Sequence, residues 1–363
     1  MNCMIKKMFP AAAAAAAAVW TAGCVAGPDF KQPDAPRSER YSVMQEEVIR
    51  GASGSVQRFD AGMDLPAQWW ELFRCGALDA SVREALEKSP TLAQAAARLR
   101  QAQEEYSARA GVLRSPAVDA GISTARKKVN PEAMGMTGAP VPDPFSLFNA
   151  SVSVSYAFDL FGKDRRMLEG LKAQTNQRIF EMEAARQSLA ANVVLASIRQ
   201  AELAGQIRKA KDIIAARSEQ LKISKSRLAS GGISRLELER QGLLLEQARA
   251  VLPDLENRHG QIRRQLAVYL GREPAEVSDA PLDLDDLHLP GELPLSLPSE
   301  LARHRPDIRA AEEVWHQACA NLGVAAASLF PQITLSAGMG SQRTDLGELL
   351  DSANVWSIGA ELM

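Results

Sequence analysis

Ser89-Pro90-Thr91-Leu92-Ala93-Gln94-Ala95-Ala96-Ala97-Arg98-Leu99-Arg100-Gln101-Ala102 and Arg305-Pro306-Asp307-Ile308-Arg309-Ala310-Ala311-Glu312-Glu313-Val314-Trp315-His316-Gln317-Ala318 are two versions of one phrase. Each opens on a proline and continues in residues that favour helix. Each then meets a second proline, Pro116 in the first copy and Pro331 in the second, at nearly the same distance, and breaks into an alternating run. A further strand-like run follows in each copy, at 151–159 and 355–362. An internal repeat of this kind organises a chain more strongly than any local propensity. The first copy is followed by a helical stretch, 163–270, whereas the second ends with the chain at Met363.

The alternating runs specify strands. Val152, Val154, Tyr156 and Phe158 are separated by Ser151, Ser153, Ser155 and Ala157, and Ile333, Leu335, Ala337 and Met339 by Thr334, Ser336 and Gly338. Val118, Ala120 and Ile122 alternate with Asp119 and Gly121, and Trp356, Ile358, Ala360 and Leu362 alternate with small or polar neighbours. Period two marks a strand with one apolar face. Apolar residues opposite small and polar ones, in about ten residues per run, also mark a strand of a membrane barrel. Four such runs beside long helices favour the barrel, with Val152, Val154, Tyr156, Phe158, Ile333 and Leu335 as lipid-facing positions. The link 125–150, rich in proline toward its end, is expected to be a long loop.

The stretch 163–270 carries a seven-residue repeat. Leu189, Val193, Ala196, Gln200, Leu203, Ile207, Ala210, Ile214, Arg217, Leu221, Ser224 and Leu228 step by four and three. Leu238, Gln241, Leu245, Ala248, Leu252, Leu255, His259, Ile262, Leu266 and Tyr269 do the same. Such a period imposes a left-handed supercoil. Between the runs, Gly231-Gly232-Ile233-Ser234 ends one helix and permits a reversal. The result is a helical hairpin, and 163–229 alone would span ~100 Å at ~1.5 Å per residue. Pro253 is expected to kink the returning helix.

The N-terminus reads as an address. Lys6 and Lys7 precede a short apolar run containing eight consecutive alanines, too short to span a bilayer, which needs ~20 apolar residues. Thr21-Ala22-Gly23-Cys24 follows, small residues before a cysteine, as in a bacterial lipoprotein signal. Cys24 is the candidate lipid attachment site, and Val25 after it favours the outer membrane. Residues 25–62 are polar and read as an extended tether. An aromatic cluster at Trp69, Trp70 and Phe73 leads into a helix expected from about Leu78 to Leu113, with Asp79 as its N-cap. The chain therefore divides into a signal segment 1–23, a lipid-anchored tether and packing segment 24–77, a first repeat 78–270 with a β-hairpin 116–160 and a helical hairpin 163–270, a linker 271–297, and an incomplete second repeat 298–363 with a β-hairpin 332–363. The fold class is an α+β membrane protein of long coiled-coil hairpins and four transmembrane strands.

Composition excludes several functions. Lys and Arg number 42 against 44 Asp and Glu, so nothing electrostatic argues for nucleic acid. Four cysteines, Cys3, Cys24, Cys75 and Cys319, make no disulfide framework and no metal spacing. The acids Asp279, Asp283, Asp285 and Asp286 lack the glycine and closing glutamate of a calcium loop. His259, His288, His304 and His316 are scattered, Met134 and Met136 sit in the expected loop, and no nucleophile elbow, phosphate loop or zinc motif is present. No catalytic residue, metal or cofactor is expected, and no enzymatic activity.

These residues resemble the TolC-like outer membrane efflux family, in its NodT/OprM-like lipoprotein branch. The resemblance rests on Ala22-Gly23-Cys24 with Gly27-Pro28-Asp29-Phe30, on Trp69-Trp70-Glu71-Leu72-Phe73, and on Ser155-Tyr156-Ala157-Phe158-Asp159-Leu160-Phe161-Gly162. It also rests on Leu266-Ala267-Val268-Tyr269-Leu270-Gly271 and on Leu297-Pro298-Ser299-Glu300-Leu301 with Arg305-Pro306-Asp307-Ile308-Arg309. It implies a homotrimer in the Gram-negative outer membrane, each protomer giving four strands to a twelve-stranded barrel and its helices to a periplasmic tunnel. It implies passive export of small molecules received from a periplasmic adaptor and an RND-type inner-membrane pump, with Gly231, Gly232, Ile233 and Ser234 as the adaptor-docking tip. It also implies a second helical hairpin after the fourth strand, so the chain reads as C-terminally truncated. A lipid-anchored coiled-coil scaffold, a non-efflux porin-like barrel and a non-functional truncated channel stay open on the residues alone.

Overall fold

The computed structural model describes residues 25–34, 48–50, 56–60, 63, 66–128, 130–131, 135, 137, 140–141, 143–276, 282–295, 301, 303–349, 351–352 and 355–363. The signal segment 1–23, Cys24, Met134, Met136 and Asp279 lie outside the described residues, as does most of 35–55. The described residues divide into two compact units, one within Met1–Gln32, Arg100–Gln177 and Ala311–Met363, the other within Pro33–Leu99 and Arg178–Ala310.

The first unit is built on a four-stranded antiparallel sheet. Its strands are β3 (Ala117–Lys127), β4 (Phe145–Phe158), β6 (Ile333–Arg343) and β7 (Val355–Leu362), in the order β3-β4-β6-β7. Each copy of the repeat supplies one hairpin, and β4 pairs with β6 to join them, from Phe148 opposite Arg343 to Phe158 opposite Ile333. The long loop expected over 125–150 is shorter, because β3 runs to Lys127 and β4 begins at Phe145. Phe145, Leu147 and Asn149 take ladder partners as readily as the serines after them, since a strand needs only paired backbone. Helical segments enter or leave the sheet at the end marked by Ala117, Phe158 and Ile333. The two hairpin loops lie at the other end.

The second unit holds the helical hairpin and a small sheet. Helix α3 (Lys163–Ala229) begins in the first unit and continues into this one, and α4 (Arg235–Leu270) returns. Of the heptad positions named above on α3, Leu189, Val193, Ala196, Gln200 and Ser224 are buried and Leu203, Ile207, Ala210, Ile214, Leu221 and Leu228 half-buried; only Arg217 is exposed. All ten on α4 are buried or half-buried. Helix α4 is continuous through Pro253, whose ring lies on the exposed face.

At the base of the hairpin, Trp70, Leu78, Val82 and Ala85 pack with Leu189, Val193, Leu266, Ala267 and Leu270. The single helix expected over 78–113 is two, α1 (Gly76–Lys88) and α2 (Pro90–Arg114). Ser89 is extended at ψ 126°, because the ring of Pro90 excludes the helical conformation from the residue before it. Asp79 is not the N-cap: that position is Cys75, with no side-chain capping bond. Asp79 instead accepts hydrogen bonds from Trp70 Nε1 at 3.1 Å and Arg83 Nε at 2.9 Å. Arg83, with Trp70 adding to it, holds the Asp79 carboxyl below its ordinary value.

The tether, expected to be extended, and the linker together contribute a sheet. Strand β1 (Val48–Arg50) pairs antiparallel with β2 (Val56–Asp60), and β2 pairs in parallel with β5 (Glu292–Pro294). Strands of three to five residues carry too little pattern to be read locally. Gln57 adds a side-chain hydrogen bond to the carbonyl of Pro290 at 2.9 Å. Cys75 and Cys319 are free, half-buried thiols.

Truncating Leu78, which is 1% exposed in the basal cluster, to alanine leaves a cavity under three helices. The Leu78→Ala protein is expected to lose about 2–5 kcal/mol against denaturant. A loss below about 1 kcal/mol, monitored through helical circular dichroism, would contradict the placement of this core.

Candidate functional site

Three surfaces are candidates for function: one face of the four-stranded sheet, the tip of the hairpin, and the junction where the segment after Cys24 docks.

On the sheet, register decides which side chains share a face. Val152 lies opposite Met339, Val154 opposite Ala337, Tyr156 opposite Leu335 and Phe158 opposite Ile333. The same rows continue to Ala120 and Val118 on β3 and to Trp356, Ile358, Ala360 and Leu362 on β7. All six strand residues singled out above therefore belong to one continuous apolar face. Much of it is exposed: Ile122 is 76%, Met339 60%, Trp356 79% and Ile358 79% exposed. Ser151, Ser153, Ser155, Ser336, Gly338 and Ser357 occupy the other face. So large an exposed apolar surface has no place against water. An apolar face backed by small polar residues is the pattern of a membrane-barrel strand.

At the hairpin tip, the amide of Gly232 donates to the carbonyl of Arg227 at 2.8 Å and that of Gly231 to Leu228 at 3.0 Å. This bond pair is the Schellman closure, which requires a left-handed residue, and Gly231 has φ 76°. Ser234 then caps α4, its Oγ accepting the amide of Glu237 at 3.3 Å. Gly231, Gly232 and Ser234 are exposed and Ile233 half-buried. Leu236, one residue into α4, is 81% exposed, and nothing in the periodic pattern singles it out.

The third surface was not read from the sequence beyond its family resemblance. Residues 25–32 run across the starts of α3 and the middle of α5 (Pro306–Ala327), all inside the first unit. The Arg166 side chain is 5% exposed and binds this segment at three points. It donates to the carbonyls of Ala26 and Gly27 and, at 2.6 Å, to the carboxylate of Asp29. Glu169 takes a further bond from Arg166 at 2.7 Å and lies 2.9 Å from His316 Nε2. The Phe30 ring stacks on His316 at 4.3 Å and meets Trp315 edge-on at 5.7 Å. Gln32 reaches Glu312 at 3.1 Å. Gly27 has φ 87° and lies so close to Gly323 that a Cβ on either residue would strike backbone or the Arg166 side chain. Burial alone would raise Glu169, but the hydrogen bonds and charges of Arg166 and His316 outweigh it and hold its carboxyl below the ordinary value. Among the described residues no cluster of three or more His, Cys, Asp or Glu is arranged to hold a metal.

A sheet with a lipid-type face, joined to a long helical hairpin in a duplicated chain, meets its match among known proteins. Residues 81–272 and 297–362 match the family described as outer membrane efflux protein. The chain belongs to that family. Members are transport channels rather than enzymes. The chain is 29% identical to the pyoverdine export outer membrane protein OpmQ of Pseudomonas aeruginosa, over 90% of this chain and 72% of that protein. It is 30% identical to the toluene efflux pump outer membrane protein TtgC of Pseudomonas putida, over 90% of this chain and 65% of that one. With the probable outer membrane lipoprotein SilC of Salmonella typhimurium it shares 27% over 93% of this chain and 69% of SilC. The solved outer membrane channel OprN superposes with a TM-score of 0.81 at 27% identity, covering 94% of this chain and 73% of OprN. The CmeC channel of Campylobacter jejuni, at 20% identity and a TM-score of 0.78, shares the fold. This efflux-family chain thus spans about two thirds of the length of the relatives it matches, and its place is the Gram-negative outer membrane.

The buried Arg166 predicts a discrete effect. Arg166→Ala removes charged hydrogen bonds worth roughly 1.5–3 kcal/mol, and limited proteolysis is expected to cut within 25–34 at least about tenfold faster. An unchanged cleavage rate would show that Arg166 does not hold the segment. Glu169 adds a pH dependence. Because its folded value lies below its unfolded one, its contribution is full above the ordinary carboxylate range and is lost as pH falls through the lowered value. Protection of 25–34 should therefore weaken on acidification below that range, and less so in Glu169→Gln. Identical acid profiles for the two proteins would refute the coupling.

Proposed function

We propose that this chain is the outer membrane channel subunit of a tripartite efflux system, a passive conduit for small molecules from periplasm to exterior. The continuous apolar face across β3, β4, β6 and β7 carries the reading. Strands β3 and β7 have an unpaired edge within this sheet, and hydrocarbon tolerates no open edge. Three copies, each giving four strands, would close a twelve-stranded barrel with its Ser- and Gly-rich face lining the lumen. The helices would continue the conduit into the periplasm. Acylation of Cys24 would anchor the chain, since each buried CH₂ of an acyl group adds ~0.8 kcal/mol. The tip at Gly231, Gly232, Ile233 and Ser234 would dock a periplasmic adaptor carrying substrate from an RND-type inner-membrane pump. No fuel and no catalytic group are needed.

The proteins it resembles are named for pyoverdine, toluene and antibiotic export, a range that fits a conduit whose cargo is chosen upstream. Purified full-length chain is expected to run as a trimer and to conduct ions in planar bilayers. Cys24→Ala should abolish incorporation of labelled palmitate. A monomer without conductance would overturn the channel reading. Palmitate labelling retained in Cys24→Ala would overturn the anchor.

A further inference from the structure

The apolar face of the sheet is not uniformly flat. On it, Ala120, Ala150 and Ser341 form a floor of small side chains between the larger Ile122 and Met339. Leu349 and Ser352, between β6 and β7, border this floor, and Leu349 is only 4% exposed. The open depression above this floor has a volume of about 760 Å³. It adjoins a second depression of about 530 Å³ on the same face, between Val154, Ala337, Trp356 and Ile358, with Val152 and Met339 common to both. Together they make an apolar trough along the strands. Each compartment lies within the ~300–1,000 Å³ typical of small-molecule sites.

Beyond Ser341, the next residue of β6 on this face is a cation. Arg343 shares the face of Met339 and Ser341, and its Nη2 donates to Ser352 Oγ at 3.2 Å. Its Nε and the hydroxyl of Ser341 are buried without a hydrogen-bond partner. No carboxylate pairs with Arg343 among the described residues; Asp345, two positions on, is turned to the amide of Gly347 at 2.8 Å. A half-buried guanidinium without a carboxylate partner, next to the Ser341 and Ser352 that border an apolar trough, has the form of a lipid site. The apolar part accepts an acyl chain, and the guanidinium suits a phosphate, which takes paired donors well.

The geometry points to a binding site for a phosphate-bearing, acylated glycolipid of the outer leaflet, with one acyl chain in the trough and a phosphate on Arg343. The leaflet follows from direction. Arg343 lies at the loop end of the sheet, opposite the end where the helices attach, and this rests on the channel reading above, in which those helices are periplasmic. The occupant is not cargo, because the trough opens on the face away from the Ser- and Gly-rich side. Gly340 supports the site by its lack of a side chain: a Cβ there would strike the backbone of Ala150 and Ser151, so the floor could not stay closed.

Delipidated full-length protein, exchanged into detergent, provides the test by native mass spectrometry. Rough lipopolysaccharide, phosphatidylglycerol and phosphatidylethanolamine are titrated separately. Lipopolysaccharide is expected to bind at least about tenfold more tightly than either phospholipid. Arg343→Gln should remove about a factor of ten from that affinity, the scale of one charge-assisted hydrogen bond. Ala150→Leu, which fills the floor, should weaken lipopolysaccharide independently of the charge. Unchanged lipopolysaccharide affinity in both variants overturns the site, and equal binding of phosphatidylglycerol overturns the outer-leaflet assignment. Wild-type protein that conducts but shows no lipid preference defeats this inference alone, whereas loss of conductance defeats the channel reading; the lipid titration is read independently of either.

Discussion

In hydrocarbon, a backbone amide or carbonyl without a partner costs several kcal/mol, so a chain can cross only with its ladders complete. Here the ladder that matters most is β4 with β6. These strands come from different copies of the repeat, far apart in sequence, yet they pair without interruption from Phe148 and Arg343 down to Phe158 and Ile333. A slip of one residue would turn every side chain of one hairpin to the opposite face. Val152 would then point with the serines, and the apolar surface from Ile122 to Ile358 would be cut in two. The two hairpins must therefore meet in one register. Serine, glycine and alanine on the second face allow close approach without opposing it.

The segment 25–32 applies a different constraint to the same unit. Arg166 is buried, and a buried guanidinium must be neutralised and hydrogen-bonded to be tolerable. Asp29 and Glu169 supply the charge, and the carbonyls of Ala26 and Gly27 supply further acceptors. Burial works against the ionised form, and the two carboxylates outweigh it, so the guanidinium is held charged. This ties the residues immediately after Cys24 to the junction of β4 and α3. In the proposed channel, the lipid anchor and the barrel wall would share that fixed point.

Much of this was legible because it depends on period. The seven-residue steps from Leu189 to Leu228 and from Leu238 to Tyr269 mark the side chains that the helices bury, since a helix repeats its facing residues whatever its surroundings. The alternation at Val152, Val154, Tyr156 and Phe158 marks a face by the same logic with period two. Gly231 was legible because a left-handed backbone there favours glycine. Asp79 misled because an acid before an apolar run has the form of a cap, whereas Trp70 and Arg83 claim its oxygens. The break at Ser89 was signalled by Pro90 but outweighed by the long alanine-rich run around it. Strands β1, β2 and β5 had no signal, since a parallel pair joining residue 58 to residue 292 leaves no local period.

The sequence by itself determined the long helical hairpin and the four alternating strands, which side of each is apolar, where the hairpin turns, and that the design is used twice. Those properties follow from side-chain spacing and backbone preference within a few residues. Only the tertiary structure decided that the two β-hairpins meet through β4 and β6 in a register that makes one apolar face. It alone seats residues 25–32 on Arg166, and it alone sets Arg343, with no carboxylate partner among the described residues, beside an open apolar trough. Each of those outcomes joins residues distant along the chain or brings loop residues to the border of a sheet. Their geometry is fixed by burial, by hydrogen-bond satisfaction and by shape, which no local window of sequence contains.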